Sequence, residues 1–530
     1  MCPTTTTTPS RRSDASLRKS KHAQRQELTT LSEEVLKAGD EAKEAAAAAA
    51  AVTQAALSQT EYRAWQKDME ARLAQIQNHP EQDLGFIEEE IARASKPLQR
   101  LLAQRAAQAK ANTTLCQCHR CQSSLTATQT LWRRIDSRFG SFDIWRKYGW
   151  CSKCEAWDFP ADHALGLAKN APASPYLQEM AALLTAKMPP EQAVLVAERL
   201  GLDMSRCFLH REAHRQGLKA QDVRTARLDQ LDTWQSLQEL AHSDSRAIEP
   251  FTLVIEIDAW NIRERDNWGE TQTMKTMDPH WSRWHWVYVA TVFRLNHRGQ
   301  TDGGRAIISE RGYAATRLGI DALMRQLYRQ AIDCGLGQAK EVLVIADGAV
   351  WIWNAAKDRF PQARNRLDLY HADEHLWEVA HELYGKGTPE ARNWVQPLLK
   401  QLRNDDHVGM IQELEELSKG LNKGLKEKVQ KQIDYFEKNK NRMNYREIIK
   451  ARRAVDQGKA TEAQKTKANE PLGSGAVEST CRQYQCRFKR TGQFWTLAGD
   501  EALMCIETFW RNSSWHLLFP HSKAPSPANN

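Results

Sequence analysis

The sequence predicts a multidomain α/β protein, and three of its features support this prediction. The chain has 530 residues, which is more than one hydrophobic core normally serves. Two Cys-x-x-Cys pairs between residues 118 and 154 enclose a short segment that can form a small unit of its own. Farther along, strand-like apolar runs alternate with helical segments, which is typical of a sheet packed against helices.

Composition and charge are compatible with a nucleic-acid partner and argue against a membrane protein. The 74 Lys and Arg exceed the 66 Asp and Glu by only eight, so local clusters of cations matter more than the total. No apolar run approaches the roughly 20 residues of a membrane helix, and the start lacks a signal-peptide block. We therefore expect a cytoplasmic protein without membrane contact, in which the 11 cysteines favour metal binding over disulfides.

The N-terminal part of the chain divides into a tail and a helical arm. Residues 1–27 are polar and basic, which predicts a disordered basic tail. Residues 28–111 are rich in Ala, Glu, Gln, Lys and Leu, which predicts a helical arm. Breaks near Pro80 and Gly85 indicate two or more helices, arranged either as a hairpin or as a dimerising coil.

Residues 112–165 have the layout of a zinc ribbon. Two Cys-x-x-Cys pairs stand about 29 residues apart, and the residues between them form two strand-like runs, as in structural zinc sites. Buried free thiols are the simpler alternative, and Cys116 and His119 compete as ligands by their position. The predicted ligands of one structural Zn²⁺ ion are Cys118, Cys121, Cys151 and Cys154. The cations expected to give this unit a basic, DNA-facing surface are Arg120, Arg133, Arg134, Arg138, Arg146, Lys147 and Lys153.

Residues 172–220 predict a helix-turn-helix DNA-binding region. Helical periodicity covers residues 176–184 and 191–200, Gly201 supplies a turn, and Ser205 can cap a third helix that ends at about Gln216. A recognition helix presents its polar side chains outward, whereas a three-helix bundle with the same pattern can be purely structural. The predicted DNA-binding residues of the third helix are Arg206, His210, Arg211 and Arg215, with His214 beside them.

Residues 250–373 show the element order of a ribonuclease-H-like core. An apolar run from Thr252 ends at Asp258, and two strand-like runs, WVYVATVFRL and RAIISERGY, follow it. A helix over about residues 317–334 leads into an apolar strand that delivers Asp347. In this β-β-β-α-β order the first and fourth strands lie side by side, so Asp258 and Asp347 are expected to meet.

A helical segment separates this part from a third acidic residue. Residues 374–467 are crowded with Glu, Lys, Gln and Leu, which predicts an all-α insertion. The core resumes over residues 468–515 with a final helix that Ser474 can cap and that carries Glu478 in its first turn; residues 516–530 form a tail. The predicted DNA-binding residues of this region are Arg482, Lys489 and Arg490, with Gln485 on the same face.

Asp258, Asp347 and Glu478 suit the chemistry of phosphoryl transfer. In-line transfer uses two divalent cations, and hard oxygen ligands favour Mg²⁺, or Mn²⁺ in its place. Asp258 would bridge both ions, Asp347 would hold one, and Glu478 would complete the shell of the second. Taken singly, each acid has a plainer interpretation, because such residues commonly serve as turn residues or interact with a helix dipole.

Several motifs resemble those of one known group, the insertion-sequence transposases of the ISKra type, which are related to the Mutator-like and hAT branch of DDE enzymes. The resemblance covers most of the chain from Cys118 to Trp510 and leaves out the N-terminal arm, and Ala259 stands where the first motif more usually has Gly. The motifs are YGWC and LGL in the ribbon, then IEIDAWNIRERD, IADGAVWIWN, LDLYHADEHL, PLGSGAVES and RFKRTGQFWTLAGDEAL.

The resemblance implies a DNA transposase with Asp258, Asp347 and Glu478 as its catalytic triad. It also implies a C/D-x-x-H signature at Asp368-Leu-Tyr-His371, in which His371 assists DNA positioning near the scissile phosphate. A packed histidine at a strand end is the alternative for His371, and the nearby acid and histidine at 373 and 375 leave the register of the signature open. The implied partners are double-stranded DNA, as terminal inverted repeats and as target, and further copies of the chain in a homodimer or higher oligomer; such a protein would be nucleoid-associated.

Two other functions fit the same residues. A ribonuclease-H-like nuclease needs the same metal-binding acids but not the recognition of element ends. A catalytically inactive or domesticated zinc-containing DNA-binding regulator would keep the ribbon and the helix-turn-helix. Terminal inverted repeats in the DNA around the reading frame would favour the transposase over both.

Overall fold

The computed structural model confirms a mixed α/β protein and divides it into two compact units. Unit 1 comprises Met1–Gln178 and Val196–Cys207, and unit 2 comprises Glu179–Leu195 and Phe208–Asn530. The residues that the structure describes are 40–78, 83–169, 171–232, 250–265, 271–278, 282–301, 303 and 305–522, without the side chains of 40–58, 271 and 272. The predicted basic tail, the first residues of the arm and the last residues of the C-terminal tail lie outside them.

Unit 1 begins with two long helices, α1 (Asp40–Gln77) and α2 (Leu84–Thr113). The indole nitrogen of Trp65 donates a hydrogen bond of 2.6 Å to the carbonyl oxygen of Ala94, and Arg72 pairs with Glu90 at 3.0 Å. These contacts join the two helices as a hairpin within one chain, which is one of the two arrangements that the sequence left open for the arm.

A three-stranded antiparallel sheet follows in unit 1, with β2 in its centre. Its strands are β1 (Thr126–Ser137), β2 (Gly140–Cys151) and β3 (Ala156–Asp158), and a short helix α3 (Pro160–Ala164) comes next. Arg133 and Arg146 each approach Asp162 at 2.6 Å, and Arg146 is buried. Their placement on the basic surface is therefore wrong, because a buried carboxylate on α3 draws both guanidinium groups inward.

Three helices occupy the predicted helix-turn-helix region: α4 (Pro175–Lys187), α5 (Pro190–Arg199) and α6 (Arg206–Asp229). Gly201 has a φ of +72°, as expected for the turn. The third helix is longer than predicted, because its buried side continues beyond Gln216 to Ala220. Gly217 serves close packing here, since a Cβ at this position would lie 2.4 Å from the Cβ of Ala502.

Unit 2 is built on a five-stranded sheet. Its strands are β4 (Thr252–Arg263), β5 (Trp284–Arg294), β8 (Gly312–Thr316), β9 (Glu341–Ala346) and β10 (Arg364–Leu367), and β6 (Arg298–Gln300) pairs separately with β7 (Ala306–Ile308). The order of the five strands across the sheet is β10-β9-β4-β5-β8. β4, β5 and β8 are antiparallel neighbours, whereas β9 and β10 continue the sheet parallel to β4. The predicted adjacency of the first strand and the strand before Asp347 is confirmed.

Three details of the sheet differ from prediction. β4 does not end at Asp258 but continues to Arg263, because Trp260 and Ile262 beyond it are buried. The third predicted strand is split into β7 and β8 by the polar residues 309–311. β10 was not predicted, because two of its four residues are arginines, which do not indicate a buried strand. Arg366 is nevertheless fully buried and pairs with Glu470 at 2.6 Å.

The remaining helices belong to unit 2. They are α7 (Thr271–Met277), α8 (Ile320–Asp333), α9 (Val350–Arg359), α10 (Leu369–Tyr384), α11 (Pro389–Arg403), α12 (His407–Lys419), α13 (Lys423–Asn439), α14 (Arg446–Asp456), α15 (Glu462–Ala468), α16 (Gly475–Phe488), α17 (Leu497–Arg511) and α18 (Trp515–Leu518). The predicted start of the insertion, residue 374, falls inside α10, and three helices rather than one follow the insertion. Within the described ranges, no helix is long and apolar enough to cross a membrane.

The two faces of β4 belong to different cores. Leu253, Ile255 and Ile257 pack with α8, α9 and the insertion, whereas Trp260 and Ile262 pack with α16 and α17. Because side chains alternate along a strand, Asp258 points to the same side as α16. The sheet thereby places the start of α16 next to the middle of β4.

Candidate functional site

Asp258 lies on β4, and Asp347 directly follows β9, the parallel neighbour of β4. Glu256 on β4 is in register with Ile345 on β9, so Asp258 and Asp347 stand at equivalent positions two residues farther along. The backbone N–H of Ala259 donates to Asp258 at 2.7 Å. Burial raises the pKa of Asp258, and the negative charge of Asp347 raises it further. The two acids are close enough to repel each other.

Asp347 sits in a tightly held loop between β9 and α9. Its carboxylate accepts a hydrogen bond of 2.9 Å from the N–H of Ala349, and its carbonyl oxygen accepts one of 2.7 Å from the hydroxyl of Tyr435. Gly348 has a φ of +100°, a conformation that suits glycine. Since Tyr435 belongs to α13, the helical insertion helps to shape the loop.

Glu478 reaches the same edge of the sheet from α16. Its carboxylate is half-buried, and burial followed by the negative charge of Asp368 raises its pKa. The Nε2 atom of His371 lies 3.8 Å from Glu478 Oε1, and a guanidinium nitrogen of Arg482 lies 3.8 Å from Oε2. The charges of His371 and of Asp258 also act on Glu478, so this acid interacts with both sides of the site.

Two buried carboxylates fix the start of α16: Glu256, which the sequence did not single out, and Asp368, the first residue of the C/D-x-x-H signature. Glu256 accepts a hydrogen bond of 2.9 Å from the N–H of Val477, and Asp368 accepts two of 2.6 Å from the N–H and hydroxyl of Ser474. Burial raises the pKa of Glu256 to about 8. The available signal was an acidic residue between two isoleucines of an otherwise apolar strand, which is costly unless the carboxylate has a partner.

The closest group of potential ligands at this edge is not the predicted one. Among the residues that the structure describes, ligand atoms of Asp368, His371 and Glu478 lie within 4.8 Å of one another, whereas Asp258, Asp347 and Glu478 form no group this tight. The oxygens of Asp368 are already engaged with Ser474 and with the N–H groups of α10. These bonds give Asp368 a positioning role at the start of α10 and of α16.

His371 lies in the first turn of α10 and not at the end of a strand. Its ring is half-buried, with Nδ1 3.3 Å from Glu374 and Nε2 facing Glu478. The neighbours that left the register open are engaged elsewhere: Asp373 pairs with Arg403, and His375 bonds to the side chain of Gln432 at 2.5 Å. In this register His371 faces the acids.

In unit 1, Cys118, Cys121, Cys151 and Cys154 form one group, with all four sulfurs within 4.8 Å of one another. The Cys118–Cys154 and Cys121–Cys151 sulfur distances are 3.8 and 3.4 Å, and none of the four forms a disulfide. Metal–sulfur bonds of about 2.3 Å in a tetrahedron place sulfurs about 3.8 Å apart. The group can therefore hold one tetrahedrally coordinated metal ion.

The two competing ligands stay outside this group of thiols. Cys116 packs against the cluster without joining it. The Nδ1 atom of His119 lies 2.9 Å from Asp158, which also contacts His163 at 3.0 Å. Burial alone would raise the pKa of Asp158, but hydrogen bonds from His119 and Phe159 lower it to about 2. His119 thus belongs to a second group with Asp158 and His163, and ligand atoms of Cys118, His119 and Asp158 lie within 4.8 Å of one another.

The predicted DNA-binding residues of α6 are not equivalent. Arg206, His210 and Arg211 are exposed. Arg215 is not directed outward as predicted, because its Nε lies 3.0 Å from a carboxylate oxygen of Glu212, which is buried in α6.

The predicted DNA-binding residues at the end of the chain are all exposed. The side chain of Arg482 is 80% exposed on α16. Lys489 places its Nζ 5.9 Å from the ring centre of Trp284, and Arg490 bonds to the side chain of Gln192 at 3.1 Å. These three cations can therefore reach a ligand at the surface of unit 2.

Residues 333–515 match the model of an uncharacterised protein family, UPF0236. The matched range contains Asp347, His371, Glu478 and the helical insertion, and it leaves out Asp258 and the four thiols. No curated protein matches the chain.

Proposed function

We propose that this chain is a DDE-type DNA transposase with a ribonuclease-H-like catalytic core. The observation that carries the proposal is the placement of Asp258 on β4 and of Asp347 directly after the adjacent parallel strand β9, with Glu478 brought to the same edge by α16. The sheet supports it, because three antiparallel strands are extended by two strands parallel to the first. The sequence predicted this order for such a core, apart from the second parallel strand, β10.

The donor set fits two Mg²⁺ or Mn²⁺ ions. Carboxylate oxygens are the ligands that these hard cations prefer, and Asp258, Asp347 and Glu478 would hold them. The raised pKa values of Asp258 and Glu478 reflect burial and mutual repulsion, which bound cations would relieve. When bound, the two ions would activate the attacking oxygen and stabilise the leaving oxygen.

The chain's own residues would position the DNA and keep the site ordered. His371 can donate a hydrogen bond to a phosphate oxygen beside Glu478, and the exposed Arg482 can contact the DNA backbone. Glu256 and Asp368 hold the start of α16 before DNA arrives. Glu478 is thereby ordered in advance, which lowers the cost of reaching the reactive geometry.

Recognition of the DNA would rest on other parts of the chain. In this proposal the four thiolates hold one structural Zn²⁺, which replaces a core too small to be stable alone. The exposed Arg206, His210 and Arg211 of α6 would contact terminal inverted repeats, and several copies of the chain would act together on element ends and target DNA in the nucleoid. The motifs that resemble ISKra-type transposases support the same assignment.

Asp347→Asn tests the proposal. The amide keeps the shape of the carboxylate and can still accept the hydrogen bond from Ala349, but it lacks the negative charge that offsets a divalent cation. The substrate is a labelled duplex that ends in the terminal inverted repeat. We expect the parent with Mg²⁺ to cleave and join this duplex but not a scrambled duplex. Asp347→Asn should bind the duplex without cleaving it, and Asp358→Asn, at an exposed position on α9, should behave like the parent.

Each competing function has its own outcome in this assay. Cleavage of both duplexes at equal rates would indicate a nuclease. Binding without cleavage by the parent would indicate a regulator. Equal cleavage by the parent and Asp347→Asn would overturn the assignment of the acids themselves.

A further inference from the structure

Two tryptophans that are two residues apart, Trp284 and Trp286, are exposed on one face of β5. The side chains of Trp284 and Trp286 lie on the same face, because they alternate with His285, and the two residues are 49% and 52% exposed. Exposing half of each of two neighbouring indole rings to water is unfavourable, and this favours a role for the surface in binding a partner. Tyr288, the next residue on this face, is half-buried and continues the row of rings.

This row of rings runs along the face of the sheet that packs against α9, opposite to the face that carries Asp258. The ring of Tyr288 packs edge-on against Trp351, with centres 5.2 Å apart. Trp351 lies in the first turn of α9, which begins three residues after Asp347. Tyr288 therefore joins this face of β5 to the helix that follows Asp347.

Cations surround the outer end of the row. The guanidinium carbon of Arg263, which is in register with Trp284, lies 6.0 Å from the centre of the Trp284 ring and 5.0 Å from that of Phe494. Lys489 lies 5.9 Å from the Trp284 ring, and Arg265 lies 3.8 Å from the Phe494 ring. Positive charge and exposed aromatic faces thus share one surface, which favours an anionic ligand that also has flat apolar groups.

We propose that Trp284, Trp286, Arg263 and Lys489 bind single-stranded DNA at this end of β5. In a duplex the faces of the bases are covered by their neighbours, whereas an unpaired strand offers bases to stack on indoles and phosphates to pair with cations. Residues two apart in a strand are about 6.8 Å apart, which is twice the 3.4 Å rise between stacked bases. The inference rests on the proposed function, in which strand cleavage at an element end frees an unpaired segment.

Binding of a fluorescein-labelled oligothymidine of about 12 nucleotides, a length within the range that such surfaces cover, tests this inference. The anisotropy is measured with the zinc-loaded full chain without Mg²⁺, so that no cleavage is needed. Trp284→Ala with Trp286→Ala should weaken binding roughly 10-fold or more, and the corresponding double Phe variant should retain most of it. Tyr384→Ala, which removes a 40% exposed ring from α10, should bind like the parent.

The outcomes separate this inference from the proposed function. Ring-dependent binding of the oligonucleotide by a chain that never cleaves DNA would support the surface while the transposase proposal fails. Unchanged affinity in the double Ala variant would overturn the surface, even if Mg²⁺-dependent cleavage is intact. A change in the sedimentation of that variant, with its affinity for the oligonucleotide unchanged, would instead identify this face as a contact between copies of the chain.

Discussion

The carboxylate of Asp368 accepts hydrogen bonds of 2.6 Å from both the backbone N–H and the hydroxyl of Ser474, 106 residues later in the chain. Asp368 also caps α10 by accepting from the N–H groups of Tyr370 and His371. A single buried side chain therefore ties the start of α10 to the start of α16. This link is what brings His371 beside Glu478.

Asp368→Ala should therefore destabilise unit 2 more than the loss of an ordinary helix cap. The variant leaves the N–H and hydroxyl of Ser474 buried without their partner, and we expect a loss of about 2–4 kcal/mol in the free energy of unfolding. Asp406→Ala is the control, because Asp406 caps only its own helix, α12, and its loss should cost about 1 kcal/mol. Urea titration measures both, and equal losses would show that the link to Ser474 contributes nothing.

The thiol cluster should bind zinc. We expect about one equivalent of zinc in the purified parent, and its loss in Cys118→Ser with Cys151→Ser, because both pairs of thiols then lack a ligand. Cys486→Ser, at an exposed cysteine of α16, should keep the metal. Elemental analysis decides this. Less than about half an equivalent in the parent, or full retention in the double variant, would contradict the site.

Local patterns predicted much of this site, whereas long-range contacts did not appear in them. The Cys-x-x-Cys pairs and the apolar strand before Asp347 can be recognised from residues that are close together in the sequence. The length of β4 was underestimated, because the burial of residues beyond Asp258 depends on α16 and α17. The roles of Glu256 and Asp368 could not be predicted, because their partners lie 221 and 106 residues away and only the folded chain brings them together.

Arg211 and Arg215 should behave differently although both are arginines of α6. Arg211 is exposed, and Arg211→Ala should weaken binding to end-containing DNA and lower the dependence of the logarithm of the affinity on salt by about one unit. Arg215→Ala should mainly lower stability, by about 1–3 kcal/mol, because it leaves the carboxylate of Glu212 buried without its charged partner. Salt-resolved binding and thermal unfolding of both variants test this. Identical effects of the two substitutions on the salt dependence would contradict the difference seen in α6.

The stability of unit 2 should depend on pH through Asp500. Burial raises the pKa of Asp500 from 3.8 to about 9, and the negative charge of Glu264 adds to the effect. Between these values the folded chain keeps a proton that the unfolded chain has lost, so stability falls as the pH rises from about 4 to about 9 and is flat outside this window. Asp500→Asn is neutral throughout and should gain over the parent as the pH rises.

Thermal unfolding at about pH 5 and pH 8 measures this effect. The unfolding temperature of Asp500→Asn relative to the parent should rise by roughly 5 °C between the two conditions. Asp358→Asn removes an exposed carboxylate and should show a difference from the parent that does not change with pH. If the difference in unfolding temperature between Asp500→Asn and the parent also does not change with pH, Asp500 is already ionised in the folded chain.

Gly348→Ala should damage the loop of Asp347 by two separable effects. The φ of +100° strains any residue with a Cβ, at a cost of about 1–3 kcal/mol. The new Cβ would also lie 2.7 Å from the ring of Tyr435, whose hydroxyl bonds to the carbonyl of Asp347.

Gly319→Ala isolates the first effect, because Gly319 has a φ of +101° and a Cβ there would meet no atom within 4 Å. We expect similar strain in both variants but a loss of Mg²⁺-dependent cleavage, by roughly 10-fold or more, in Gly348→Ala alone, because displacement of Tyr435 moves Asp347 out of position. Tyr435→Phe, which removes only the hydroxyl, should lower cleavage by a smaller factor. Equal loss of cleavage in the two alanine variants would show that the contact with Tyr435 does not position Asp347.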